Sequence, residues 1–459
     1  ALPPVSAGGV RPEHIPLSFA QSRIWFINRF SDGTDGYIIP VLMQVRGRLD
    51  IDALRTAVSD VVARHEVLRT VYPAIDGEPY QRIESGSGPS GEIIPGDVDF
   101  SVVASKSDVA EAIRAGFDVT NQWPIRIRVQ QVSDDEYVLA LILHHIAADG
   151  ESLTPFFGDL TAAYAARVQG NAPHLPELEV QFADFALWQH EVLGSADDQD
   201  SVLSKQLTYW TQTLDGIPDV IELPTDRPRP AVASHRGAMV DVEIPAELAR
   251  DLTDVARAKD MTPFMVVHAV VAVLLARLSA SGDISISTPI AGRGQRQLDP
   301  LVGMFVNTLV LRTRVDLADR FTDLLTEVRS ADLDAFAHSD VPFEQVVEAM
   351  APSRSEAFAS LAQVMLSFDP AAAAQSNQLS VSGIEMTRLD PIEAPEQLDL
   401  TFIIASDLPG RPWRATISYA TDLFDRSTVT EMSERFVHLM AAFVSDPDQP
   451  VGAPWLMSV

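Results

Sequence analysis

Apolar and polar positions alternate along this chain in blocks long enough to assign elements. After an opening of 13 residues that reads as a Pro/Gly linker, "YIIPVLMQVRG" (37 to 47) reads as a strand, and Asp50 caps a predicted helix with Ile51, Leu54, Val58, Val61 and Val62 at helical spacing. "WPIRIRV" alternates apolar and basic residues, "SDDE" supplies a turn, and "YVLALILHH" (137 to 145) is a near-continuous apolar run. Together they predict a hairpin whose second strand is buried on both faces. "DGESLTPFFGDLTAAYAARV" (149 to 168) and the stretch around "DFALWQ" read as helices, and the polar "ADDQD" (196 to 200) as a hinge. Beyond it come an apolar helix "TPFMVVHAVVAVLLARL", a strand "DISISTPI", a loop "AGRGQRQLDP" and a strand-like "VGMFVNTLVLRTRV". The pattern predicts two α/β lobes, residues 14 to 195 and 196 to 459.

Composition narrows the chemistry. The chain has 459 residues, is 46% apolar and carries a net charge of -30. A nucleic-acid surface or an anionic membrane would need a basic footprint, so that acidity argues against both. Zero Cys excludes disulfides, thiolate metal sites and a thiol nucleophile. No stretch approaches about 20 uninterrupted apolar residues, and the start lacks the layout of a signal peptide. These features predict a cytoplasmic protein.

Adjacent histidines end the apolar run, and Asp149 follows four residues after the second. On a strand, neighbouring side chains point to opposite faces, so His144 and His145 are poorly placed to share one metal ion. Helical metal pairs use a one-face spacing absent here. His144 is assigned to the core and His145 to a strand end, beside the first amides of a helix, where negative charge is favoured. On chemistry alone, Asp149 before Gly150 reads most often as a helix cap. "GRGQRQ" lacks the Gly-Lys-Ser/Thr ending of a phosphate loop, and no G-x-S-x-G serine elbow occurs. His268 is read as a core or boundary histidine within its apolar helix.

"HHIAADG" has the HHxxxDG form that marks condensation domains of nonribosomal peptide synthetases and some related acyltransferases. Further segments resemble that family in its order: "LSFAQSRIWF" (17 to 26), "RHEVLRTVY" (64 to 72), "FADFALWQ" (182 to 189), "VGMFVNTLVLR" (302 to 312), "HSDVPFEQVV" (338 to 347) and "LAQVMLSF" (361 to 368). The resemblance implies an α/β fold of two chloramphenicol-acetyltransferase-like lobes, forming a V-shaped pseudo-dimer with a central tunnel. It also implies that an upstream donor and a downstream acceptor peptidyl carrier protein deliver thioesters on phosphopantetheine arms, beside an adjacent adenylation domain. The arms belong to the partners, so no cofactor or metal of the domain's own is expected. The implied reaction is attack of the acceptor α-amino group on the donor thioester carbonyl.

That reaction assigns roles. His145 is the expected partner of the attacking amine, as base or as positioner. At Gly150 a side chain is expected to crowd the tunnel, while its amide is placed to receive the oxyanion. Asp149 is read as holding the loop through an ion pair, with Arg293 as the leading partner. Arg23 and Arg64 are expected near the core of the N-terminal lobe, and Asn307 is read as either a tunnel-floor contact or a capped turn. "SFAQSR" most resembles the type that joins an L-donor to an L-acceptor. Glu151 departs from the aromatic residue that many members carry after Asp-Gly. An epimerisation domain of the same fold and a catalytically silent docking platform are the alternatives. Paired aspartates would mark a heterocyclisation domain, and both histidines are present.

Overall fold

The apolar segments of the first half meet in one sheet because their alternation leaves one face to bury. In the computed structural model, which describes residues 2–7, 9–30, 37–351, 355–369, 378–389, 396–406 and 410–454, the chain forms two units. The first comprises Ala1–Ser195, Ala291–Val306 and Asn377–Ile392; the second comprises Ala196–Ile290, Asn307–Ser376 and Glu393–Val459.

In the first unit a six-stranded sheet runs in the order Gln378–Val381, Ile384–Leu389, Ile38–Arg46, Glu136–His144, Ile125–Ser133, Asp99–Val103. Only the last two of these strands pair in parallel. The central strand Glu136–His144 is buried at every position from Leu139 to His144, as an element flanked on both sides by neighbours should be. The helices Ile51–Arg64 and Leu153–Val168 pack on each other and share the unit's hydrophobic core with Leu139, Leu141 and Leu143. Asp50 caps the first of them, accepting from the Ala53 N–H at 2.9 Å. The second starts at Leu153, four residues later than the sequence predicts, because Asp149 to Ser152 form a turn.

In the second unit the sheet order is Asn307–Arg314, Asp283–Ile290, Val364–Asp369, Leu400–Ala405, Trp413–Ala420, Gly237–Ile244. The helix Pro263–Ser279 is buried continuously from Met265 to Ala276. Its His268 is fully buried, with Nδ1 3.0 Å from Asp332 and Nε2 3.1 Å from Thr313 Oγ1. Among the described residues no single helix is long and apolar enough to cross a membrane.

Three further assignments from the sequence differ from this fold. Residues 291 to 306 and 377 to 392, expected in the C-terminal lobe, belong to the first unit. "VGMFVNTLVLRTRV" is a strand only from Asn307 onward, because residues 302 to 306 leave the ladder to pack in the first unit's core. The opening residues, expected as a linker, are held along the first unit. Val5 is 4% exposed, its N–H donates to Gln295 Oε1 at 2.7 Å, and its carbonyl accepts from Gln297 Nε2 at 3.0 Å. Trp188 Nε1 donates to the Pro3 carbonyl at 2.9 Å, and Arg11 bridges Glu66 and Asp184. A Pro-rich segment lacks the periodicity that betrays burial, so a pattern search misses such a strap.

Replacing Val5 with Asp places an unpaired carboxylate in that apolar seat. The expected result is a loss of at least about 2 kcal/mol in unfolding free energy by urea denaturation. A change within about 0.5 kcal/mol, as for an ordinary surface position, would restore the linker reading.

Candidate active site

The site is built on the turn that joins the strand Glu136–His144 to the helix Leu153–Val168. His144 is the last strand residue, and its side chain is fully buried. Its Nδ1 accepts from the Ile146 N–H at 3.1 Å, its Nε2 lies 3.4 Å from the Asn28 side-chain amide, and Phe117 meets the ring edge-on. His144 therefore serves the turn from inside.

His145 lies in the turn, one residue past the strand. Its N–H donates to the Tyr37 carbonyl at 2.8 Å, and its partly exposed ring meets Tyr37 edge-on at 6.3 Å between centroids. Behind the turn sits Gln21, fully buried in the helix Phe19–Phe30, whose Nε2 donates to the Ile146 carbonyl at 2.9 Å and to Tyr72 Oη at 3.1 Å. Burial pushes the Tyr72 phenol above its ordinary pKa, so it remains protonated around neutral pH.

Asp149 is 1% exposed, and every donor around it is local or comes from residues 291 to 306. Oδ1 accepts from the Ser152 N–H at 2.9 Å, from Ser152 Oγ at 2.7 Å and from Arg293 Nη2 at 3.1 Å; Oδ2 accepts from the Phe305 N–H at 3.0 Å. Arg293 also donates through Nη1 to the carbonyls of Leu298 and Leu301, at 2.7 and 2.8 Å, and lies over the Phe305 ring at 4.2 Å. The structure thus places Asp149 and Arg293 together, as a loop anchor directed away from solvent. Removing one partner of such a buried pair costs about 3 to 5 kcal/mol. Loss of activity on replacing Asp149 therefore reports loop integrity as much as chemistry.

Gly150 is exposed, and a Cβ built there meets no atom within 4 Å. The crowding expected of a side chain at this position does not come from the protein itself, because the turn carries Gly150 outward. The glycines this segment does require are Gly292 and Gly303. Gly292 has φ +62° and sits against the Phe305 carbonyl, while a Cβ on Gly303 would collide with the Phe182 ring and approach Phe305 Cε2 to 2.6 Å.

The remaining expected residues lie outside this cluster. Arg64 donates from Nε to Asp159 Oδ2 at 2.8 Å and to the Pro176 carbonyl, fastening the end of one helix to another. Arg23, expected near the core, is on the exposed side of its helix, whose buried side is taken by Gln21, Ile24, Trp25 and Asn28. Asn307 belongs to the second unit. Its Nδ2 donates to the carbonyls of Ser339 and Val341, and its Oδ1 accepts from the N–H groups of Thr308 and Phe343, so its amide is committed to a capped turn. Glu151 is exposed in the turn beside Gly150.

Sequence reasoning passed over Gln21, Ser152, Gly303 and His65. His65 is 1% exposed, its Nε2 lies 2.7 Å from Asp159 Oδ2, and its Nδ1 accepts from the Val302 N–H at 3.4 Å. It ties the helix Ile51–Arg64 to the segment that carries Arg293. Its place beside Arg64 in "RHEVLRTVY" was the available signal, but nothing in one sequence reveals the partner at 302.

Gly150→Ala is expected to leave the unfolding free energy within about 0.5 kcal/mol of wild type by urea denaturation. A loss above about 1 kcal/mol would reveal a packing role that the geometry does not show.

His65 adds a pH dependence. Burial, aided by the charges of Arg64 and Arg293 and opposed by Asp159, holds its pKa below the ordinary value of 6.5. Above about pH 6.5 the ring is neutral in both folded and unfolded chains, so its contribution is fully present. As pH falls through that value the unfolded chain takes up the proton first, and stability is lost toward the lower folded pKa. Unfolding free energies at pH 7.5 and 5.5 should therefore fall more steeply in wild type than in His65→Gln, which cannot titrate; parallel profiles would sink the assignment.

The family model described as Condensation domain matches residues 11–459. The chain is 41% identical over 446 residues to the dimodular nonribosomal peptide synthase of Bacillus subtilis, covering 96% of this chain and 18% of that protein. It is 40% identical over 451 residues to the isonitrile lipopeptide synthase of Mycobacterium tuberculosis, with coverages of 96% and 18%. The chain thus spans less than a fifth of the length of these two curated relatives. The X-domain in complex with OxyB from teicoplanin biosynthesis matches with a TM-score of 0.89 at 30% identity, over 100% of this chain and 99% of that one. The fold is the α/β, chloramphenicol-acetyltransferase-like fold of these neighbours. With a family match that runs from residue 11 to residue 459, the chain belongs to the Condensation domain family.

Proposed function

We propose that this domain forms an amide bond in nonribosomal peptide synthesis, by attack of an acceptor aminoacyl α-amino group on a donor aminoacyl or peptidyl thioester. The observation that carries the reading is His145. It is a partly exposed imidazole on a turn fastened from behind by Gln21 and anchored below by the buried Asp149 carboxylate. In this reading both substrates arrive on phosphopantetheine arms of carrier domains encoded beside this one, next to an adenylation domain. The domain then needs no cofactor of its own. The donor and acceptor residues are taken as L-configured, on the strength of "SFAQSR".

The chemistry asks little of the protein beyond placement. A free α-amino group has a pKa of about 7.7 to 8.0, so part of it is neutral and nucleophilic near pH 7. Its nitrogen forms the new C–N bond, the C–S bond breaks, and the pantetheine sulfur leaves as a thiol. His145 accepts the amine's hydrogen bond and, as the tetrahedral intermediate forms, its proton. The Gly150 N–H is assigned to the developing oxyanion.

A second reading has one observation behind it, since the X-domain that superimposes on this chain was solved with a partner enzyme, OxyB. In that reading this domain is a docking platform for another enzyme of its assembly.

The test is single-turnover amide formation between a donor-loaded and an acceptor-loaded carrier, followed by intact mass spectrometry. Wild type is expected to give product, and folded His145→Ala to be slower by about 10²-fold or more. Absence of product from wild type across several carrier pairs would favour the platform, and α-proton exchange on a loaded residue would indicate epimerisation.

A further inference from the structure

Ser152 is fully buried three residues after Asp149, just before the helix Leu153–Val168. Polar atoms crowd its single hydroxyl: Asp149 Oδ1 at 2.7 Å, the Gly303 carbonyl at 2.9 Å, the Gly303 N–H nitrogen and Arg293 Nη2 each at 3.1 Å, and the Asp149 N–H nitrogen at 3.2 Å. A hydroxyl has one proton to give and two lone pairs to accept with. The proton goes to the carboxylate, the nearest and the only charged acceptor. The lone pairs are left to the N–H groups of Gly303, Asp149 and Arg293.

We propose that Ser152 is a positioning residue for amide formation, setting the His145–Gly150 turn through its bonds to Asp149 and Gly303. The proposal rests on the amide-forming reading above. Two side chains from outside the 145–150 segment grip the turn near its ends. Gln21 holds the Ile146 carbonyl at one end, and Ser152 holds the Asp149 backbone and carboxylate at the other. His145, assigned to the amine, immediately precedes the first of these points, and Gly150, whose amide is assigned to the oxyanion, immediately follows the second.

Gly303 gives Ser152 a fixed reference. Its carbonyl and N–H both face the hydroxyl, and it cannot shift toward Phe182 or Phe305 because even a Cβ would collide there. The Asp149–Arg293 pair holds charge but leaves the Asp149 N–H to Ser152. Loss of the hydroxyl would leave the ion pair in place while freeing the turn to drift, and a misplacement of about 1 Å can cost about 10²-fold in rate.

The experiment compares wild type, Ser152→Ala and Ser152→Cys in the two-carrier single-turnover assay, with rates normalised to the folded fraction measured by circular dichroism at the assay temperature. Ser152→Ala is expected to lower the rate at saturating carriers by about 10- to 10²-fold, with half-saturating carrier concentrations and the pH profile unchanged. Ser152→Cys, which keeps a weak donor in nearly the same volume, should fall between the two. If Ser152→Ala does not fold, a reduced saturating rate in Ser152→Cys with unchanged half-saturation supports the proposal, and a wild-type rate overturns it. A wild-type rate in folded Ser152→Ala, a loss confined to half-saturation, or a shifted pH profile also overturns it. Absence of product from wild type would instead refute the amide-forming reading beneath it.

Discussion

A buried carboxylate governs this site. Asp149 is 1% exposed, and an isolated charge at such a position is unfavourable unless it is paired and fully hydrogen-bonded. The chain meets that demand with a guanidinium, a hydroxyl and two backbone amides, two of these four donors delivered by residues distant in sequence. Much of the oddity of residues 291 to 306 follows from this need. The segment leaves the strand ladder of the second unit, turns at Gly292 with a positive φ and brings Arg293 inward. Gly303 then lets Phe305 lie beneath the guanidinium, where the Phe305 N–H donates to Asp149 Oδ2.

The two histidines divide their work at the strand's end. His144 completes the ladder opposite Ile38, and its parity turns it inward, where its ring caps the turn that follows. His145 is the first residue free of the ladder, and its ring reaches the surface while its N–H still bonds Tyr37. Shifting the strand register by one residue would exchange the two environments. The near-continuous burial of Leu139 to His144 therefore does more than fill a core: it fixes which imidazole emerges.

Much of this was legible because it is local. The strand at 38 to 46, the Asp50 cap and the apolar helix at 263 to 279 each rest on residues close together in sequence. The buried and partly exposed histidines follow from where the apolar run ends. What escaped is what depends on distant partners. His65 is defined by Asp159 and Val302, and Ser152 by Gly303 and Arg293. Val5 is defined by two glutamines about 290 residues away. Arg293 was reachable only through resemblance to a family, since spacing alone gives no reason to match it to Asp149. Gly150 shows the opposite error: a glycine in a conspicuous motif invites a steric reading, yet the crowded glycine of this site is Gly303.

The architecture also bears on what such a site contributes to catalysis. Holding two reactants in attack geometry is worth up to about 7 to 11 kcal/mol, whereas a general base typically adds about 10²- to 10⁴-fold. Converted at about 1.4 kcal/mol per decade, the base contributes roughly 3 to 6 kcal/mol, the smaller share. The protein's own investment follows that ratio. Asp149, Ser152, Gln21, Arg293 and His65 are buried and committed to one another or to backbone, and the proposed reaction leaves His145 and the Gly150 amide to meet a substrate. A thioester already activated by its sulfur needs little further activation. A rigid support under one imidazole and one amide is what the proposed aminolysis requires.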